Sequence, residues 1–316
     1  MRTIIMATML LALASGTTSV AAVRVADAVA QTSLAHGRVE GPFELHSRVY
    51  LGTVRRYWVY VPAGYDASRP PNLLLFQDGQ RAVNPEGSLK LPAVLDTLIE
   101  QKAIPQTLGV FVTPGNVSAR YPDTLGMQNP DHRPEEYDAV SDAYARMTLD
   151  ELLPAVARRW RFSADPKRRA IGGTSSGAIA AWTVAWRHPD AFGNVISFIG
   201  SYTSIGLKLR PDGTPQAYGG DTYPGLIRKS AIRPLRVFLQ DGRNDLDNEH
   251  GNWFLANQQM LKALEWANAH ADAEKHAGPR YAINHAWTEG THSDADGGSI
   301  LPDVLRWIWR DQQPGR

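Results

Sequence analysis

The sequence predicts an α/β fold, a mostly parallel central sheet with helices on both faces. Three observations carry this. Apolar runs of strand length alternate with longer amphipathic segments along the 316 residues, the rhythm of strand–helix repeats. Within Asn72–Phe76, Leu73-Leu-Leu-Phe76 is apolar without interruption, as a central strand buried on both faces requires. At Ala170-Ile-Gly-Gly-Thr-Ser-Ser-Gly-Ala, a strand-like run turns through glycines directly into a helical pattern.

Taken in order, Val49–Leu51 and Arg56–Val61 read as an opening strand pair, the second with Tyr57, Val59 and Val61 on one face. Asn72–Phe76 is the buried strand, Leu91–Ala103 a helix and Leu108–Val112 the next strand. Glu135–Trp160 reads as helical with a break near Pro154. A short strand around Ile171 leads into a helix in which Ile179, Trp182 and Trp186 recur at helical spacing until His188-Pro189 stops it. Val195–Ile199 and Leu235–Leu239 are further buried strands. Trp253–His270 is helical, and Tyr281–Thr288 alternates as a strand. Ile300–Trp309 closes the chain as a helix, with Ser299 as its cap and Pro302 in its first turn. Two long irregular segments, Pro114–Pro134 and Ser201–Pro224, follow apolar strands. Open α/β sheets bind ligands at such strand ends, so both are expected to wall a substrate pocket.

The first thirty residues read as an export leader. Arg2 gives a positive start, and Ile4–Ala14 is almost wholly apolar but too short to span a bilayer. Small residues follow, with cleavage expected after Ala22 or Ala30. A single catalytic domain over 31–316 is expected, exported to the periplasm or outside the cell, with no membrane span once the leader is removed. The 33 basic and 32 acidic residues nearly cancel, and no basic block points to nucleic acid. There is no cysteine, which excludes disulfides and thiolate metal sites.

Gly173-Thr-Ser-Ser-Gly177 fits the pattern G-x-S-x-G, in which glycines permit a sharp strand-to-helix turn that lifts a serine hydroxyl to the head of the helix. Ser175 is the candidate nucleophile. A serine hydroxyl needs a histidine base, and the base needs a carboxylate to fix its tautomer. In α/β-hydrolases the chain order is serine, acid, histidine. The strand Leu235–Leu239 runs into Gln240-Asp-Gly-Arg-Asn-Asp-Leu-Asp. Asp245 is preferred there because Gly242-Arg-Asn-Asp245 makes a tight turn back over the sheet. Asp247 is second, and the alternative for both Asp241 and Asp247 is a solvated loop carboxylate. No register of this acidic cluster fits an EF-hand. Of the six histidines after Ser175, His292 lies between the last strand and the last helix, where an exposed base belongs. His285 lies inside a strand and reads as a packed sheet residue. The oxyanion donors are expected to be the N–H groups of Ser176 and of Gln80, just past Asp78-Gly79.

Together, Tyr57-Trp-Val-Tyr-Val-Pro, Phe76-Gln-Asp-Gly-Gln, Gly173-Thr-Ser-Ser-Gly, Gly242-Arg-Asn-Asp and Gly290-Thr-His resemble the putative-esterase family of α/β-hydrolases over about residues 42–312. That family includes enterochelin esterases, carbohydrate-esterase feruloyl and acetyl-xylan esterases, S-formylglutathione hydrolases and mycolyltransferases. The resemblance implies the α/β-hydrolase fold and a cofactor-free, metal-free serine esterase, with the oxyanion donor after the Asp-Gly pair falling on Gln80. The chain looks most like secreted enterochelin-esterase-like proteins, but it has no long N-terminal domain ahead of the core, which argues against siderophore hydrolysis. A feruloyl- or acetyl-type ester of a carbohydrate is the expected substrate, with Tyr202 and Trp253 offering aromatic faces to a sugar or cinnamoyl group. Acyl transfer to a sugar hydroxyl, or carbohydrate or envelope binding without catalysis, are the rival roles.

Overall fold

The computed structural model describes residues 36–122 and 130–312. The leader expected over residues 1–30, and part of the segment Pro114–Pro134, lie outside the described residues. The described residues lie within one compact unit.

Eight strands form the main sheet: β1 (Arg38–His46), β2 (Thr53–Val61), β3 (Asn72–Gln77), β4 (Thr107–Val112), β5 (Arg169–Thr174), β6 (Asn194–Phe198), β7 (Arg236–Gly242) and β8 (Ala282–Thr288). Their order across the sheet is β1-β2-β4-β3-β5-β6-β7-β8, with the two-residue strand Asn116–Val117 added beside β2. β1 and β2 run antiparallel to their neighbours, and every pair from β4 to β8 is parallel. This is the α/β-hydrolase fold. Leu73 and Leu75 of β3 pack on one face, and Leu74 and Phe76 on the other. A strand buried on both faces cannot alternate apolar with polar, which is why its sequence is a continuous run.

The first face is covered by α3 (Ser176–Arg187), α4 (Tyr223–Lys229) and α5 (Trp253–Ala273), through Ile179, Trp182, Ile227, Met260 and Leu264. The opposite face is covered by α2 (Leu91–Glu100) and α6 (Asp294–Ile308), through Leu91, Leu95, Leu301, Leu305 and Ile308. Between β3 and α2 lies the four-residue helical turn α1 (Gly79–Ala82). Among the described residues no helix is long and apolar enough to cross a membrane.

Three local expectations are corrected. Val49–Leu51 is a turn, and the partner of β2 is β1, whose mixed exposure hid it. The long helix expected over Glu135–Trp160 is broken at residues 138–142 and widens into a π-helical stretch at Met147–Leu152. Pro154, whose N–H is missing, sits just after that stretch rather than at the break. The last helix starts six residues early, capped by Ser293, whose side chain accepts from the Ala295 N–H, so Pro302 lies inside it. Ser299 bonds back to the Asp296 carbonyl instead.

Candidate active site

The turn between β5 and α3 places Ser175 at φ 59°, ψ −125°. A non-glycine residue at such a φ costs roughly 1–3 kcal/mol and persists only where its surroundings enforce it. Here the Ser175 N–H donates to the Phe198 carbonyl at 2.9 Å, and its own carbonyl accepts from the Ala178 N–H at 2.9 Å. A Cβ on Gly173 would stand 2.4 Å from the Gly177 carbonyl carbon, and one on Gly177 would stand 3.0 Å from the Gln77 Cβ. Gly173 is therefore required by close approach, and Gly177 sits tightly against β3.

The side chains of Ser175, His292 and Asp245 meet. Ser175 Oγ lies 2.8 Å from His292 Nε2, and His292 Nδ1 lies 2.6 Å from Asp245 Oδ1. His292 comes from the β8–α6 loop and Asp245 from the turn after β7. The two loops are tied by Asn244 N–H to the Gly290 carbonyl at 3.0 Å and by Asn244 Nδ2 to the Glu289 carbonyl at 2.7 Å. Gly242 and Gly290 touch back to back, where a Cβ on Gly242 would lie 2.2 Å from the Gly290 oxygen. The alternative acid Asp247 is exposed and pairs with Asn252 in a two-residue ribbon. His285 is exposed on the edge strand β8 with its ring 4.9 Å from Trp287, rather than packed.

The Asp245 side chain is fully buried. Burial is the largest single influence and would raise its proton affinity, but the hydrogen bonds from His292, Asp241 and the Leu246 N–H together outweigh it and hold Asp245 below the usual carboxylate range. An ionised Asp245 accepts from Nδ1–H, which leaves Nε2 free to accept the Ser175 proton. Asp245 Oδ2 is buried with no N–H donor. The carboxyl of Asp241 faces it. Asp241 is not a solvated loop residue: it is fully buried at the end of β7, and its oxygens accept from the Gly242 N–H at 2.7 Å and from Asn257 Nδ2 at 2.5 Å. Burial, then the contact with Asp245, pushes Asp241 well above the usual range. Adjacent buried carboxyls cannot both ionise, so Asp241 holds the proton.

Ser176 opens α3, and Gln80 is the second residue of α1, at the ends of the neighbouring strands β5 and β3. N–H groups in a helical first turn have no partner within their own helix, so both can face an oxyanion. The turn before Gln80 is held firmly. Asp78, at φ 52°, is gripped by Arg133 through two hydrogen bonds of 3.0 and 2.7 Å, and a Cβ on Gly79 would stand 2.4 Å from the Phe111 carbonyl carbon. Arg81 reaches Asp294 at 2.9 Å, linking this turn to the histidine loop.

The expected aromatic wall is corrected. Both Tyr202 and Trp253 are 1% exposed. The Tyr202 hydroxyl donates to Ser197 Oγ at 2.9 Å. The Trp253 indole packs edge-on against His292, centroids 5.7 Å apart, and its Nε1–H donates to Ser201 Oγ at 2.9 Å. Ser201, which sequence reasoning passed over, is fully buried with its Oγ 3.0 Å from Ser175 Oγ. Its one sequence signal is its place just past the end of β6, where α/β sheets gather their chemistry. Beside this cluster is an open recess of about 650 Å3, lined among others by Ser204, Asp221, Asn248, His250, Asn252 and Gln259. Among the described residues no group of three or more His, Asp or Glu side chains could hold a metal ion.

Residues 49–296 match the model of the family described as "Putative esterase". The chain is 26% identical over 271 residues to the iron(III) enterobactin esterase of Dickeya dadantii, covering 84% of this chain and 54% of that protein. It therefore spans about half the length of that curated relative. Among solved structures it is similar to a ferulic acid esterase, with a TM-score of 0.61 at 18% identity over 87% of this chain and 99% of the other. It is also similar to the ferric enterobactin esterase of Salmonella typhimurium, with a TM-score of 0.61 at 22% identity over 88% of this chain and 59% of the other.

Proposed function

The chain belongs to the putative-esterase family, and from that premise we propose that it is an exported serine hydrolase of carboxylic esters, acting on feruloyl- or acetyl-type esters of carbohydrates. The observation that carries the chemistry is the hydrogen-bonded series Ser175–His292–Asp245. Ser175 Oγ attacks the acyl carbon as its proton passes to His292 Nε2. The carbonyl electron pair moves onto oxygen, facing the N–H groups of Gln80 and Ser176. Collapse expels the alcohol, which takes the proton from His292. Water then repeats the sequence on the acyl-enzyme, with His292 again as base and Ser175 Oγ as leaving group. Asp245 keeps the imidazole in the productive tautomer and stabilises its cation.

The carbohydrate part rests on the family and on the open recess next to this cluster, whose carboxylate, amide and hydroxyl side chains can hydrogen-bond a polyol while its larger apolar surface, from residues such as Pro224 and Leu255, can meet the ring faces. Tyr202 and Trp253, being buried, give it no support. A second reading, hydrolysis of a catechol-bearing siderophore ester, is favoured by the 26% identity to an enterobactin esterase. The test is a kinetic screen of feruloyl-arabinose, acetylated xylo-oligosaccharide, enterobactin, long-chain acyl and peptide esters, with Ser175→Ala as control. A preference for the sugar esters, lost in Ser175→Ala, is expected. A preference for enterobactin selects the second reading, and retained turnover in Ser175→Ala refutes both. Export is tested by mass spectrometry of native protein: the N-terminus should fall between residues 22 and 31, and an intact Met1 on cytoplasmic protein refutes it.

A further inference from the structure

Two groups fix the direction of every hydrogen bond through the nucleophile. An ionised carboxylate only accepts and an indole N–H only donates. From one end, Asp245 takes His292 Nδ1–H, so Nε2 accepts the Ser175 proton. Ser175 has one proton, now committed, so at its 3.0 Å contact with Ser201 it must accept. From the other end, Trp253 Nε1–H occupies one lone pair of Ser201 Oγ at 2.9 Å, which leaves the Ser201 proton available for Ser175. The direction deduced from Asp245 is met by this arrangement. The result is a one-way chain, Trp253 to Ser201 to Ser175 to His292 to Asp245.

We propose that Ser201 is a fourth catalytic side chain, whose hydroxyl donates to Ser175 Oγ and stabilises the partial negative charge that oxygen carries in the transition states, as its proton moves to or from His292, with Trp253 as the positioning residue that keeps Ser201 donating. The proposal rests on the ester-hydrolase reading above. Ser201 is fully buried, so its hydroxyl serves the nucleophile and not the solvent-facing part of a substrate. In acylation the Ser175 proton goes to Nε2, and the freed Oγ pair forms the bond to the acyl carbon. Ser201 keeps its own proton throughout. In deacylation the carbon–Oγ bond breaks, the pair returns to Oγ, and the proton comes back from His292. Charge builds on the same oxygen in both half-reactions, so the donor assists both. Between them Oγ is an ester oxygen, a poor acceptor, so the bond to Ser201 strengthens in the transition states and gives little to the acyl-enzyme.

The experiment uses the full chain and three variants, Ser201→Ala, Trp253→Phe and the double variant. Active sites are titrated by the burst with p-nitrophenyl acetate. Fluorophosphonate labelling and deacylation rates are then expressed per titrated site, so that loss of folded protein lowers only the amplitude. Ser201→Ala is expected to slow both rates by about 10- to 100-fold, the range for a hydrogen bond to a charge-bearing atom. Trp253→Phe removes the indole donor while keeping a ring beside His292, and should show a smaller loss in the same direction. The double variant should be no slower than Ser201→Ala by more than about threefold, because the indole acts through the hydroxyl. Per-site rates in Ser201→Ala within about threefold of the parent would overturn the proposal. So would losses that multiply in the double variant. A parent protein that fluorophosphonate does not label would instead sink the ester-hydrolase reading.

Discussion

Replacing Asp241 with asparagine should make the protein relatively more stable as pH rises. Asp241 is fully buried against Asp245, and only one of the two carboxyls can ionise. The folded state therefore binds a proton at Asp241 more tightly than the unfolded chain does. A group with a raised folded value contributes fully below its unfolded value and loses that contribution as pH climbs towards its folded value. Asp245 is held low and behaves oppositely, losing its contribution only as pH falls. The ordinary carboxyl value is 3.8, so pH 7 lies about three units above it. Each unit is worth at most about 1.4 kcal/mol, which sets a ceiling of about 4 kcal/mol at pH 7. The amide introduced by Asp241→Asn has no such titrating proton. The difference in unfolding free energy, Asp241→Asn minus parent, should thus grow in favour of the variant from pH 4.5 to 7.5. Urea unfolding at half-unit steps measures it. The slope, not the offset, is the test, because any fixed loss from imperfect amide packing shifts all points equally. Parallel curves for the two proteins would refute the shared-proton argument. Hydrolysis by Asp241→Asn should stay within about tenfold of the parent, since an amide can donate to Asp245 Oδ2. Asp241→Ala leaves that buried oxygen without a donor and should lose about 1.5–3 kcal/mol of interaction.

Gly173→Ala forces a methyl to within 2.4 Å of the Gly177 backbone; a stability loss of roughly 1–3 kcal/mol and slower fluorophosphonate labelling are expected, and a parental melting curve would contradict the close-approach argument. His292→Ala should abolish ester turnover while His285→Ala, on the exposed edge strand, leaves it near parental, and the reverse would move the base to His285. Arg55 and Glu136 form a fully buried pair with contacts of 2.6 and 2.9 Å. Arg55→Ala strands the buried Glu136 and should cost about 3–5 kcal/mol, seen in denaturant midpoints, with the rate per titrated active site unchanged.

The sequence by itself determined the local geometry on which the chemistry depends. Gly173 precedes Ser175 because its contact with Gly177, four residues on, leaves no room for a Cβ, and such sterics are written in contiguous residues, whereas the space at Gly177 is taken by Gln77 of β3. The same holds for the uninterrupted apolar run of β3 and for the break in helical pattern at His188-Pro189. The placement of Asp245 and His292 after successive strands was legible too, since a strand end followed by a glycine turn is a local signal. Only the tertiary structure decided what those turns face. Asp245 and Asp247 are two residues apart and chemically alike; the contact of the Gly242 turn with Gly290, nearly fifty residues away, brings one to His292 and leaves the other in solvent. Asp241 admitted a solvated reading because burial depends on α5, whose Asn257 covers it. Tyr202 and Trp253 looked like pocket walls because sequence records that a ring is aromatic, not which way it points. Their burial, and the meeting of Trp253 with Ser201 across 52 positions of chain, follow from sheet order and helix docking, which no stretch of contiguous residues specifies.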